Sequence, residues 1–153
     1  MRILDIVPPG AVVDGLRAET KEGVLRELSE AVCRRVPALS SDRLTAILME
    51  REGLGSTGIG EGVAIPHGKV PGIDRLVAAF GRSREGVQFA SIDGKPARLF
   101  FLILAPENSA GMHLKALARI SRLLKDERFR GRLLAAEDAE GLSRVFREED
   151  ERA

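Results

Sequence analysis

The chain has 153 residues, 44% of them hydrophobic, with 24 Lys and Arg against 23 Asp and Glu. That balance describes one soluble globular domain and excludes a disordered or fibrous chain; a formal charge of +1 gives no field for gripping nucleic acid. With no Trp or Tyr there is no base-stacking platform, and Cys33 alone builds neither an internal disulfide nor a cysteine-rich zinc site.

Residues 3–16 read as an entry segment that turns at Pro8-Pro9-Gly10. Asp5 and the two prolines interrupt any secretory apolar region, so a cytoplasmic setting is expected. From Thr20, a candidate cap, Val24, Leu25, Leu28, Ala31 and Val32 recur at helical spacing until Pro37 stops the pattern. A second helix is expected from Ser41 to about Glu52, with Asp42 in its first turn and Arg51 in its last, and with Glu50 and Glu52 facing solvent. Residues 53–62 are too rich in glycine for a helix and read as a loop. A short strand over 63–65 leads into Pro66-His67-Gly68, which places His67 in a loop at a strand end.

Further strands are expected at 76–82, 87–89 and 98–105, with turns at 84–86 and 93–96. The last is apolar throughout, as a strand covered on both faces is, and falls far short of the ~20 residues a membrane helix needs. After a polar loop, Ser109 is a candidate cap for a helix presenting Leu114, Leu117, Ala118, Ser121 and Leu124 on one face. Asp126 and Asp138 cap two shorter helices. Residues 1–148 form the domain and 149–153 a charged, frayed tail. Helices, then strands, then helices predict a single-domain α/β sandwich with a mixed β-sheet.

The chain holds two histidines, so any imidazole chemistry falls to His67 and His113. Pro66 fixes the backbone before His67 and Gly68 leaves space after it; the competing reading is a structural loop histidine. Backbone N–H groups of the glycine-rich turn, with the Ser56 and Thr57 hydroxyls, suit a phosphate, or else the glycines only make a tight connection. No Gly-Lys-[Ser/Thr] closes the segment, so it is not a nucleotide loop. Arg51 either complements the helix dipole or clamps phosphoryl oxygens. His113 opens a helix, where the macrodipole disfavours its cation, so neutral imidazole is expected; core packing is the alternative. The histidines match no zinc pattern, and no Gly-x-Ser-x-Gly elbow supports a serine hydrolase. Lys115, Arg119, Arg122 and Lys125 form a basic stripe, either a solvated face or an edge for an acidic partner.

The run Arg51-Glu52-x-x-Gly55-Ser56-Thr57-Gly58-Ile59-Gly60-Glu61-Gly62-Val63-Ala64-Ile65-Pro66-His67-Gly68-Lys69 closely resembles the active-site signature of fructose/mannitol-type enzyme IIA domains. These belong to the bacterial phosphoenolpyruvate-dependent phosphotransferase system, and the likeness is greatest to the nitrogen-regulatory branch, enzyme IIA-Ntr. It extends to Pro106 and to His113-Leu114-x-x-Leu117. The resemblance implies a mixed sheet with helices on both faces, phosphorylation of His67 by an HPr-type phosphocarrier, and support of the phosphoryl group by His113 and Arg51. Ser56 and Thr57 would contact phosphate, with no metal or cofactor. The output would be either phosphorylation-dependent binding of regulated target proteins or transfer to a sugar-specific IIB domain. Family precedent favours Nε2 of His67 as the acceptor; the sequence itself leaves the nitrogen, and any homo-oligomer, open.

Overall fold

The computed structural model describes residues 1–152; Ala153 lies outside the described residues. In chain order come a 3-10 turn (Ile3–Asp5), β1 (Val12–Asp14), α1 (Lys21–Cys33), α2 (Ser41–Gly53), β2 (Gly58–Gly60), β3 (Val63–Ala64) and β4 (His67–Val70). They are followed by β5 (Val77–Val87), β6 (Ala97–Pro106), α3 (Ala110–Lys125), α4 (Glu127–Ala135) and α5 (Ala139–Arg152).

β6 is buried at every position except Arg98, which explains its unbroken apolar sequence. β5 pairs with it antiparallel, Phe80 opposite Phe101. The other edge of β6 takes β3 and then β4, both parallel, with Val63 opposite Leu99 and His67 opposite Ile103. β1 adds parallel outside β5 and β2 antiparallel outside β3, so the sheet is mixed, in the order β1-β5-β6-β3-β2.

Side chains alternate across the sheet and divide the helices between its faces. Phe80 and Phe101 stack on Phe146 of α5, which also meets Phe129 of α4, with ring centroids 5.0 to 6.3 Å apart. Phe100 points the other way onto Phe89, whose ring lies under the Lys21 ammonium at the start of α1. Gly81, opposite Phe100, admits α1 so closely that a Cβ would stand 2.9 Å from Leu16 and Leu28. Thus α1 and α2 cover one face and α3 to α5 the other, the α/β sandwich expected.

Local signals held where the partner is near in sequence. Thr20 accepts from Gly23 N at 3.0 Å, and Asp126 and Asp138 cap their helices. The second helix begins at Ser41 as expected, with Ser40 as its cap accepting from Arg43 N, while several other boundaries moved. The strands expected at 76–82 and 87–89 are one, β5, because an irregular register between Arg82 and Val87 absorbs the glycine at 86. The 53–62 loop contains β2, the entry segment contains β1, and His67 starts a strand rather than sitting in a loop.

Two larger corrections concern the C-terminal third. Ser109 does not cap α3 with its side chain; its hydroxyl turns back to donate to the Pro106 carbonyl at 2.7 Å. The buried stripe of α3 is His113, Ala116, Ile120 and Leu124, while Leu114 is 67% exposed. Small Ala116 is fully buried on the face that α3 turns inward, so burial rather than the count of leucines marks that face. Residues 149–152 are not frayed: α5 continues to Arg152, and Asp150 is buried because its carboxylate accepts from Ile3 N at 2.6 Å and Leu4 N at 3.0 Å.

Arg82 anchors the α4–α5 face. It is 2% exposed, pairs with Asp14 at 2.8 Å, and donates to the Leu133 and Ala136 carbonyls at 2.7 and 2.6 Å, closing the C-terminal end of α4. Burial alone would raise the Asp14 pKa, but the hydrogen bonds and charges of Arg82 and Arg84 hold it below the usual carboxylate range. Arg82→Met leaves these acceptors unpaired and should cost about 3–5 kcal/mol in urea denaturation, whereas a loss within about 0.5 kcal/mol contradicts the role.

Candidate active site

Pro66 has no N–H to give the β6 ladder, so the strand alongside β6 breaks there into β3 and β4. Its carbonyl still accepts from Ile103 N at 2.9 Å, which holds the register, and His67 follows as the first residue of β4. His67 and Lys69 point to the α3 side of the sheet and Gly68 to the α2 side. At Gly68 a Cβ would lie 3.1 Å from Ile47, so the missing side chain lets α2 rest on β4. That contact brings Arg51, in the last turn of α2, to the same cavity as His67.

The cavity is open, about 700 Å³, and lined among others by Arg51, Leu54, His67, Lys69, Glu107 and His113. The two imidazoles meet edge to face, with centroids 5.4 Å apart and planes at 75°. His67 Nδ1 lies 2.9 Å from the Ile65 carbonyl oxygen. A carbonyl only accepts, so Nδ1 carries the proton and Nε2 keeps its lone pair. His113, in the first turn of α3, is 7% exposed, and its Nε2 has no hydrogen-bond partner among the described residues. Arg51 Nη1 donates to the Gly55 carbonyl at 2.9 Å.

Both imidazoles titrate lower than an ordinary histidine, which favours their neutral forms near neutral pH. Burial pushes His67 below its ordinary pKa and the Arg51 charge adds to this, while the Ile65 carbonyl and Glu52 pull it upward. His113 is lowered by burial first, then by the charges of His67 and Lys69. A neutral imidazole with a free nitrogen, a second imidazole with an unused one, and two nearby cations can receive and hold an anionic group.

His67, His113 and Arg51 are therefore gathered in one place, whereas Ser56 and Thr57 are not. Thr57 is buried, its hydroxyl donates to Glu52 Oε2, and its N–H donates to Glu52 Oε1 at 3.1 Å. Ser56 Oγ donates to the Phe89 carbonyl at 2.5 Å and accepts from Gly58 N at 3.0 Å. Neither lines the cavity, and the N–H groups of Gly55, Thr57 and Gly58 are already bonded within the turn. Glu50 is exposed as expected, but Glu52 is 8% exposed and ion-paired to Lys21 at 2.8 Å. Lys69 was missed as a cavity residue, although its place two residues beyond His67 puts both on one face of a strand.

Fold and site together make an α/β sandwich built around a strand-borne histidine that faces a helix-borne one. The chain belongs to the family described as "Phosphoenolpyruvate-dependent sugar phosphotransferase system, EIIA 2", which matches residues 5–149. It is 41% identical over 146 residues to a nitrogen regulatory protein of Bradyrhizobium diazoefficiens, covering 95% of each chain. It is also 38% identical over 129 residues to a fructose-specific EIIA component of Haloferax volcanii, covering 84% of each. The crystal structure of the nitrogen regulatory protein IIA-Ntr from Neisseria meningitidis superposes with a TM-score of 0.86 at 35% identity, covering 93% of this chain and 97% of that one. Among the described residues no helix is long and apolar enough to cross a membrane.

The lowered pKa values set a pH dependence. The unfolded histidines take up protons near about pH 6.5, the folded ones only at lower pH, so stability rises with pH across that window and is lost as pH falls through the folded values. NMR titration should place both imidazoles below a model histidine, and His67→Gln with His113→Gln should lose less stability than wild type between neutral and mildly acid pH. An equal acid loss in the double variant contradicts this.

Proposed function

We propose that His67 Nε2 is the acceptor in a phosphoryl-transfer step of the phosphoenolpyruvate-dependent phosphotransferase system, with an HPr-type phosphocarrier as the donor. The observation that carries the reading is the hydrogen bond from His67 Nδ1 to the Ile65 carbonyl, which leaves Nε2 unprotonated in a cavity open to a partner. The Nε2 lone pair attacks phosphorus in line. The P–N bond to the carrier imidazole breaks, and its electron pair returns to that ring. Charge spread over the three phosphoryl oxygens calls for positioned donors more than for covalent help. His113 Nε2–H, the Arg51 guanidinium and the Lys69 ammonium supply them. The step itself demands no metal or nucleotide.

The similarity to nitrogen regulatory proteins supports an output in which the phosphorylation state of His67 selects which target protein binds. Similarity to a fructose-specific EIIA component favours a second reading, onward transfer to a IIB domain. Both share the first step. A phosphate on His67 changes the local charge by roughly −2, enough to alter a docking surface without moving the fold. The partners are thus proteins, and the reactions suit the cytoplasm.

Incubation with phosphoenolpyruvate, enzyme I and an HPr-type carrier, followed by intact mass measurement, should add one acid-labile phosphoryl group to the wild type and none to His67→Ala. His113→Ala should still accept the group, but about 10²–10³-fold more slowly, the usual effect of losing one oxyanion donor. An unmodified wild type, or unchanged kinetics in His113→Ala, refutes the respective assignment.

A further inference from the structure

We propose that Glu52, with Thr57 and Lys21, is a positioning device for Arg51: its buried carboxylate ties down the glycine-rich loop, and the loop holds the guanidinium at the His67 cavity. This rests on the acceptor role of His67 and adds to it residues that touch neither histidine.

The Glu52 side chain is 3% exposed, and a carboxylate so placed is costly unless its oxygens are matched. Here they are. Oε1 accepts from Lys21 Nζ at 2.8 Å and Thr57 N at 3.1 Å, and Oε2 accepts from the Thr57 hydroxyl. Residues 53–57 are thereby closed back onto the end of α2, with Gly55 N bonded to the Glu52 carbonyl at 3.1 Å. Gly55 has φ +147°, a conformation that side chains rarely adopt, and its carbonyl receives Arg51 Nη1 at 2.9 Å. The route from Glu52 to Arg51 therefore has three links: the carboxylate to Thr57, the backbone from Thr57 back to Gly55, and the Gly55 carbonyl to the guanidinium.

Two further ties fix the same loop to its surroundings. Ser56 Oγ bonds the Phe89 carbonyl, and Lys21 Nζ sits 4.6 Å from the centroid of the Phe89 ring while pairing with Glu52. Apolar residues of similar volume would close a loop at least as stably as a buried ion pair. What a carboxylate adds is direction, since each oxygen accepts along set lines. The hydroxyls that resemblance assigns to phosphate are thus spent on aiming the arginine.

The test is independent of phosphorylation. His67 is faced by Arg51 and Glu52 from α2, by Lys69 on its own strand, and by His113 and Glu107 from the α3 side. Of these the Arg51 cation lowers its pKa, so NMR titration of His67 reports where Arg51 sits. Thr57→Val keeps the shape of the side chain and removes the hydroxyl. It should raise the His67 pKa in the same direction as Arg51→Ala does, the double variant should shift it no further, and Thr57→Ser should restore the wild-type titration. In carrier-to-protein transfer, Thr57→Val should lower kcat by about 10–10²-fold and leave KM for the carrier within about twofold.

A folded Thr57→Val with the wild-type His67 titration overturns the proposal. If that variant does not fold, amide hydrogen exchange on the wild type decides: the Thr57 N–H should be protected nearly as strongly as β6, and exchange at the rate of an open loop overturns it. Should the wild type take no phosphoryl group, it is the acceptor role that fails, and the titration and exchange readouts still decide the positioning.

Discussion

One edge of β6 carries both β3 and β4, and Pro66 divides them. The parallel register Val63 to Leu99 and His67 to Ile103 is continued across the break by the Pro66 carbonyl, so the strand pauses without slipping. A slip of one residue would turn His67 toward α2 and Gly68 toward α3, removing the imidazole from its partner and forcing a side chain into Ile47. The same break frees the Ile65 carbonyl to fix the tautomer of His67. The placement, orientation and protonation state of one ring follow from a single edge pairing.

Around that edge, buried charges tie distant parts of the chain to one another. Arg82 joins β5 to β1 and to the end of α4, Asp150 joins the last helix to the first turn, and Glu52 joins α2 to α1 and the glycine-rich loop. Each is matched by backbone groups or an opposite charge, so each constrains geometry as well as closing a contact. Only the Glu52 tie adjoins the cavity. Burial lowers both imidazoles there more than any single neighbour does.

What was readable from sequence had its cause nearby in sequence. Thr20 and Asp126 cap helices three or fewer residues ahead, the unbroken apolar run of β6 signals burial on both faces, and His67 and Arg51 stand out by their neighbours. The long signature from Arg51 to Lys69 carried the family and with it His113. What was unreadable depended on partners far away. Glu52 looks like a solvent-facing acid at a helix end until Lys21 is brought to it, and Asp150 looks like part of a frayed tail until the amides of Ile3 and Leu4 arrive. The phase of α3 was misjudged because its leucines suggested a face that Ala116 and His113 occupy instead. Ser56 and Thr57 suggest phosphate contact by the glycine-rich turn and the family pattern, and only the structure shows their hydroxyls bonded to the Phe89 carbonyl and to Glu52.

The central claim is that His67 receives a phosphoryl group at Nε2, because Nδ1 is committed to the Ile65 carbonyl. Phosphorus-coupled ¹⁵N NMR of the phosphorylated, histidine-labelled protein tests this directly. The account predicts one-bond coupling to phosphorus at Nε2 of His67 with a protonated Nδ1. Coupling at Nδ1, or phosphorus on His113, would contradict it.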